Sequence, residues 1–195
     1  MEKDNLSKAT VTSEQLKKEL ERAKSKPKGG GILADLIITV IVIGAIVSIL
    51  TTLFFPIMSI RGDSMLPNLE DGNLAVALKT DEFSRGDVCA FYSGTHILCK
   101  RIIAFGGEVV DIDENGTVYI DNIPLNEPYL TDADFGNADI SFPYLVPEHT
   151  YFVMGDNRSI SIDSRNSEIG CVSEGQVIGK LIFRFWPFDQ IGAIE

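Results

Sequence analysis

The chain has 195 residues, 45% of them hydrophobic and 23% charged, enough for one modest core with an apolar segment to spare. Its net charge of −11 is unevenly placed, because residues 56–195 hold 9 Lys/Arg against 22 Asp/Glu, a net of −13. That balance argues against nucleic acid as a partner. The cysteine and histidine spacing suits no metal, and no cofactor is expected.

Residues 1–31 read as a polar leader. A solvated helix is predicted over residues 12–24, with Thr12 and Gln15 as a capping box and Glu14–Lys18 and Lys17–Glu21 as i,i+4 pairs. Pro27-Lys28-Gly29-Gly30-Gly31 is a flexible break. Residues 36–55 then run for 20 positions without a charge, bracketed by Asp35 and Pro56. As a helix this run spans about 30 Å, the thickness of a bilayer core. A buried core helix rarely stays uncharged for so long, and a cleaved signal peptide would start earlier and end in small residues. Leu53, Phe54, Phe55 and Pro56 are bulky. The expectation is a retained anchor over residues 32–55.

Orientation follows from charge. Lys17, Lys18, Arg22, Lys24, Lys26 and Lys28 precede the apolar run, and after it Arg61 is the only basic residue before Lys79. The positive-inside rule sets the leader in the cytoplasm and residues 56–195 outside, as a single-pass protein of the cell membrane in contact with the lipid bilayer.

Residues 56–195 are patterned as β-structure throughout. Short β-rich runs cover residues 73–78, 87–92, 96–104, 108–111, 117–120, 151–154 and 177–185. Glu114-Asn115-Gly116 between two of them is a hairpin turn. Residues 111–150 read as a small excursion, with an acidic exposed loop over 132–141. The fold class is therefore mainly β: one N-terminal transmembrane helix, then an antiparallel β-sheet domain. A three-residue loop at Ser93-Gly94-Thr95 would set Cys89 opposite Cys99, where a disulfide can form in an oxidising exterior. The alternative for Cys89, Cys99 and Cys171 is small apolar core residues.

Two residues carry the chemistry. Ser64 sits in Gly62-Asp63-Ser64-Met65-Leu66-Pro67, and Lys100 sits in Leu98-Cys99-Lys100-Arg101-Ile102-Ile103. A serine hydroxyl attacks only when a base takes its proton. Lysine is such a base only when neutral, and burial in an apolar strand lowers its pKa. Strand alternation sends Arg101 to the opposite face, with a different task. His96 and His149 read as structural or exposed.

These blocks resemble the bacterial type I signal peptidases, in the short Gram-positive form with one anchor. Four motifs occur in the family's order: residues 62–69, Arg85-Gly86-Asp87-Val88, Lys100-Arg101-Ile102-Ile103, and residues 155–165. The resemblance covers residues 36–195. It implies a serine endopeptidase that removes signal peptides from exported preproteins after small residues at −1 and −3, near the secretion translocon. By the same resemblance Ser64 is the acylating nucleophile, Lys100 the general base, and Ser161 the hydroxyl that orients that lysine. The Ser64 backbone N–H is an oxyanion donor, and Gly62 stands where some members carry a second donor. Asp156 with Arg101 and Asp163 with Arg165 are implied ion pairs. Met58, Ile60, Met65, Leu69, Leu98 and Cys99 align with positions along the substrate groove. Asn68 and Gly106-Gly107-Glu108 depart from the family's usual Thr and Pro-Gly-Asp.

Two other readings compete. One is an inactive, membrane-anchored peptide-binding relative, which the intact Ser64, Lys100 and Ser161 oppose. The other is a self-cleaving repressor type of Ser-Lys protease, which the apolar run and residues 155–165 oppose.

Overall fold

The computed structural model describes residues 13–24, 31–131 and 133–194. The helices up to Ile49 and the β-rich part from Leu50 are two compact units. Helix α1 (Ser13–Lys24) is polar, and its side chains are exposed where described. Glu19 and Arg22 form an i,i+3 ion pair in it at 3.8 Å, which differs from the two i,i+4 pairs that spacing suggested. Thr12, the predicted cap, lies outside the described residues. Helix α2 (Ile32–Phe54) is 23 residues long and buries none of its side chains within the chain. It starts one turn before the uncharged run and takes Asp35 into its first turn, where a carboxylate suits the helix dipole. Its length and mean hydropathy of 2.8 are enough to cross a membrane.

From Ile57 onward the chain is antiparallel β, as its patterning predicts. The strands are β1 (Ile57–Ser59), β2 (Leu74–Leu78), β3 (Val88–Ser93), β4 (His96–Phe105), β5 (Val109–Ile112), β6 (Val118–Ile120), β7 (Ile123–Pro124), β8 (Tyr144–Leu145), β9 (Thr150–Met154), β10 (Val172–Ser173), β11 (Val177–Trp186) and β12 (Gly192–Ala193). The large sheet runs β1-β2-β11-β3-β4-β9-β10, with β12 also on β11, and the small sheet runs β7-β6-β5-β8. The seven predicted runs all form strands. The five unpredicted ones have two or three residues each, too short for a periodic pattern to register.

Three apolar clusters fill the fold. One lies between β4, β9 and the small sheet, around Ile103, Val110, Val118 and Phe152. A second gathers Ala75, Ala77, Val88, Ala90 and Leu181 with Ile60, Met65 and Leu69. A third holds Cys89, Phe91, Ile102, Tyr151 and Val153. The described residues between β7 and β8 are irregular, as expected for 132–141, but they are not a free loop. Phe135, Ile140 and Phe142 pack against the first cluster, and Phe135 and Phe142 meet edge to face.

The register of the β3–β4 hairpin corrects the cysteine reading. Ser93 pairs with His96, so the connection is the two residues Gly94-Thr95, with Gly94 at a φ of 58° that glycine adopts without strain. The shift of one position sets Cys89 opposite Lys100 and Cys99 opposite Ala90. Cys89 therefore enters the third cluster and Cys99 packs on the second, and all three thiols are free.

Candidate active site

Residues 60–73 form a turn-rich loop plugged into the core. Gly62 has a φ of 78°, and its N–H donates to Asp71 Oδ1 at 2.7 Å. The Leu69 N–H donates to the Met65 carbonyl at 2.9 Å. Ile60, Met65 and Leu69 are at most 2% exposed. That corrects the groove reading for these three, which are the buried pins of the loop and not an open lining. Met58 and Cys99 lie half-buried against the same cluster, and Leu98 lies half-buried against the third. Between Gly62 and Met65, Ser64 stays partly accessible.

The loop is also stitched to residues 155–165. The Asn157 N–H donates to the Ser64 carbonyl at 3.0 Å, and Asn157 Nδ2 donates to the Asp63 carbonyl at 3.2 Å. The approach is close because residue 155 is glycine. A Cβ there would overlap both Ser161 Oγ and the Ser64 carbonyl. The Ser64 N–H donates to no acceptor among the described residues.

Strand β4 brings Lys100 to this loop, 36 residues away in sequence. Lys100 Nζ meets Ser64 Oγ at 2.5 Å. The lysine is only 4% exposed, and among the described residues it has no carboxylate within ion-pair distance. Burial pulls its pKa below the ordinary 10.5 and Arg165 adds to the fall, while Asp163, Cys99 and Asp156 partly oppose it. The neighbouring Cys99 thiol is pushed up to about 11, chiefly by burial, and stays protonated at neutral pH.

Ser161 is buried beside the Ser64 carbonyl, with both against Gly155. No hydrogen bond joins its Oγ to Lys100, because Nζ is turned to Ser64. In this conformation it does not play the orienting role that the resemblance implied.

Charged groups frame the pair. Arg101, next to Lys100, is wholly buried and meets Asp156 bidentately at 2.8 and 2.7 Å, with a third bond to the Gly86 carbonyl. Arg165 grips Asp163 in the same way at 2.9 and 2.8 Å, and it also donates to the carbonyls of Phe135 and Arg158. Asp163 in turn accepts the Gly155 N–H at 2.9 Å. Burial alone would raise the Asp163 carboxyl, but Arg165 and the Gly155 N–H bring it below its ordinary range. Planar guanidinium–carboxylate forks of this kind fix geometry more than they add stability.

Four further residues, Arg158, Glu127, Tyr129 and Asn68, belong to the frame and had been given no role in it from sequence. Arg158, 2% exposed, donates to the Gly155 carbonyl at 3.0 Å and pairs with Glu127 at 2.5 Å. Tyr129 lays its ring 3.9 Å from the Arg101 guanidinium, and its hydroxyl donates to Glu127 at 2.8 Å. Asn68, noted only as a departure, donates to Asp156 at 2.8 Å and to the Tyr129 carbonyl at 2.9 Å. Arg158 was visible in the 155–165 motif. No local pattern pointed to Glu127 or Tyr129, some thirty residues upstream.

With this geometry in hand, comparison with known proteins is informative. Residues 33–186 match the family described as signal peptidase, peptidase S26. A signal peptidase I of Bacillus licheniformis is 35% identical over 172 residues, which cover 77% of this chain and 88% of that protein. A signal peptidase IB of Staphylococcus aureus is 31% identical over 179 residues, covering 81% and 92%. The crystal structure of a signal peptidase I from Enterococcus faecalis superposes with a TM-score of 0.45 at 32% identity, over 51% of this chain and 97% of that one.

Proposed function

Because the chain belongs to the signal peptidase family, peptidase S26, and is a serine endopeptidase of signal peptides, we propose that Ser64 is its nucleophile and Lys100 its general base. The observation that carries this reading is the 2.5 Å contact between Ser64 Oγ and a buried lysine with no acid partner among the described residues. When Lys100 is neutral, the same contact is the Ser64 hydroxyl donating to the Nζ lone pair. Oγ then attacks the scissile carbonyl carbon as Nζ takes the proton. The C–N bond breaks, Nζ returns the proton to the departing amine, and an acyl-enzyme ester remains. Water, deprotonated by the same nitrogen, hydrolyses the ester. The free Ser64 N–H is one oxyanion donor. Ser161, buried beside Ser64, is the hydroxyl that takes up Lys100 when Oγ is esterified.

The substrate is an extended signal-peptide segment with small residues at −1 and −3. Met58, Leu98 and Cys99 remain as groove residues, half-buried and near the dyad in sequence or register. Residues 1–31 are a cytoplasmic leader, α2 the single membrane anchor and residues 56–195 the extracytoplasmic catalytic domain, close to the translocon. The distribution of Lys and Arg around α2 supports this orientation. The exposed Ile160 and Ile162, flanking Ser161, support a site that opens toward the lipid surface.

The test is cleavage of a preprotein carrying an Ala-x-Ala site by the full chain in detergent. A single cut after the second Ala by wild type, abolished in Ser64→Ala, is expected. Cutting that survives Ser64→Ala would overturn the assignment. A wild-type protein that binds several precursors and cuts none would favour the peptide-binding alternative.

A further inference from the structure

A cavity of about 750 Å³ is lined by neither Ser64 nor Lys100. Three guanidiniums meet there, from Arg85, Arg101 and Arg184. Their partners differ. Arg101 is matched by Asp156 and Arg85 by Glu108 at 2.7 Å. The one carboxylate in the wall, Asp87, is matched by Lys180 at 2.7 Å. Arg184 has no carboxylate partner among the described residues.

What holds Arg184 is neutral. Its Nε donates to the Gln190 carbonyl at 2.6 Å, and its Nη1 donates to the Asn68 carbonyl at 2.8 Å and to Asn73 Oδ1 at 3.2 Å. Its Nη2 donates to none of the described residues. The side chain thus lines the cavity held by neutral acceptors, with no described carboxylate matching its charge. Asn126 also lines the cavity; it is exposed, and its amide bonds to no described residue. A guanidinium and a free amide lining one cavity are the donors that a carboxylate or phosphate group requires.

We propose that this cavity is a binding site for a small oxyanion, a phosphate or carboxylate group held by Arg184 and Asn126. It is separate from the peptidase dyad and does not depend on the assignment of Ser64 and Lys100. A volume of about 750 Å³ also admits the rest of a ligand that carries such a group.

The full chain in uncharged detergent is titrated with inorganic phosphate at constant ionic strength, reading the heat of binding by isothermal titration calorimetry. A second arm uses phosphatidylcholine vesicles with and without phosphatidylglycerol. The expected result is a saturable response, weakened roughly tenfold or more in Arg184→Gln, as loss of a charge-assisted bond dictates. Arg184→Gln also disturbs bonds to Asn68 and Gln190. Asn126→Asp is therefore the second variant, since it sets a carboxylate at the mouth without touching an internal hydrogen bond. It is expected to abolish the response. A response to phosphate in detergent assigns the site to soluble anions. One confined to phosphatidylglycerol vesicles and lost in both variants assigns it to a lipid headgroup. A response that fails to saturate in either arm, or that both variants retain, means an adventitious ion only and overturns the proposal.

Discussion

Lys100 and Arg101 are consecutive on β4, both cationic and both buried, yet the ladder sends them to different surroundings. Opposite Lys100 stands Cys89 of the third cluster, and opposite Arg101 stands Val88 of the second. Arg101 meets a full complement of acceptors: the Asp156 carboxylate, the Gly86 carbonyl and the face of Tyr129. Lys100 meets a hydroxyl. A buried charge that is matched stays a charge and fixes the frame. A buried ammonium with only a neutral partner is driven to give up its proton, and that is what a general base needs. One strand thus carries a matched charge at one residue and an unmatched amine at the next.

The sharpest way to break this contrast is to exchange the two chemistries. Lys100→Arg retains a cation that does not deprotonate, so signal-peptide cleavage should fall by roughly 10³-fold or more, as should Lys100→Met. Stability should move the other way. Burial lowers the Lys100 pKa in the folded chain, so the unfolded chain binds that proton more tightly and the lysine disfavours folding below pH 10.5. Lys100→Met should therefore unfold at the same or a higher temperature than wild type at neutral pH. Arg101→Met should do the reverse, because it leaves Asp156 buried without its guanidinium. A loss of about 3–5 kcal/mol is expected, read as a lower unfolding midpoint in detergent. If Lys100→Met and Arg101→Met destabilise equally, the contrast is wrong.

Smaller effects refine it. Glu127→Gln keeps the shape beside Arg158 but removes the charge, and should cost about 2 kcal/mol of stability. Its midpoint should fall less than that of Arg101→Met. The pH profile of kcat/KM should rise as one proton leaves, roughly tenfold per pH unit on the acid limb. The apparent pKa should lie below the 10.5 of an ordinary lysine, since burial lowers that of Lys100. A limb centred at 10.5 or above would show that Lys100 is not desolvated in solution. Smallest of all, a reductant should leave the unfolding midpoint unchanged, because Cys89 and Cys99 stand one register step apart on opposite faces.

Much of this molecule was legible along the chain, because much of it is local. The uncharged run of residues 36–55 made α2 unmistakable, and alternation with Gly/Asn punctuation located every strand of four residues or more. Ser64 and Lys100 stood out through their motifs and the apolar neighbours of the lysine. The ion pairs of Asp156 and Asp163 were also read before any geometry, since motif order carries information that composition lacks.

Tertiary structure decided what depends on distant segments meeting. The groove reading of Ile60, Met65 and Leu69 failed because apolar side chains beside a nucleophile serve equally as lining or as pins, and only packing chooses. The cysteine pairing failed on a single residue of turn length, to which strand register is wholly sensitive. Glu127, Tyr129 and Asn68 joined the frame through contacts spanning 28 to 88 residues, as in the bonds from Tyr129 to Arg101, Glu127 to Arg158 and Asn68 to Asp156. That Arg184 has no carboxylate partner among the described residues is of the same kind. By itself the sequence determined the apolar helix, the strands and the residue types able to do serine chemistry, because these are written in nearest neighbours and short periods. Which buried charge is matched and which is left to lose its proton was decided only by the folded chain, because charge compensation is a property of space.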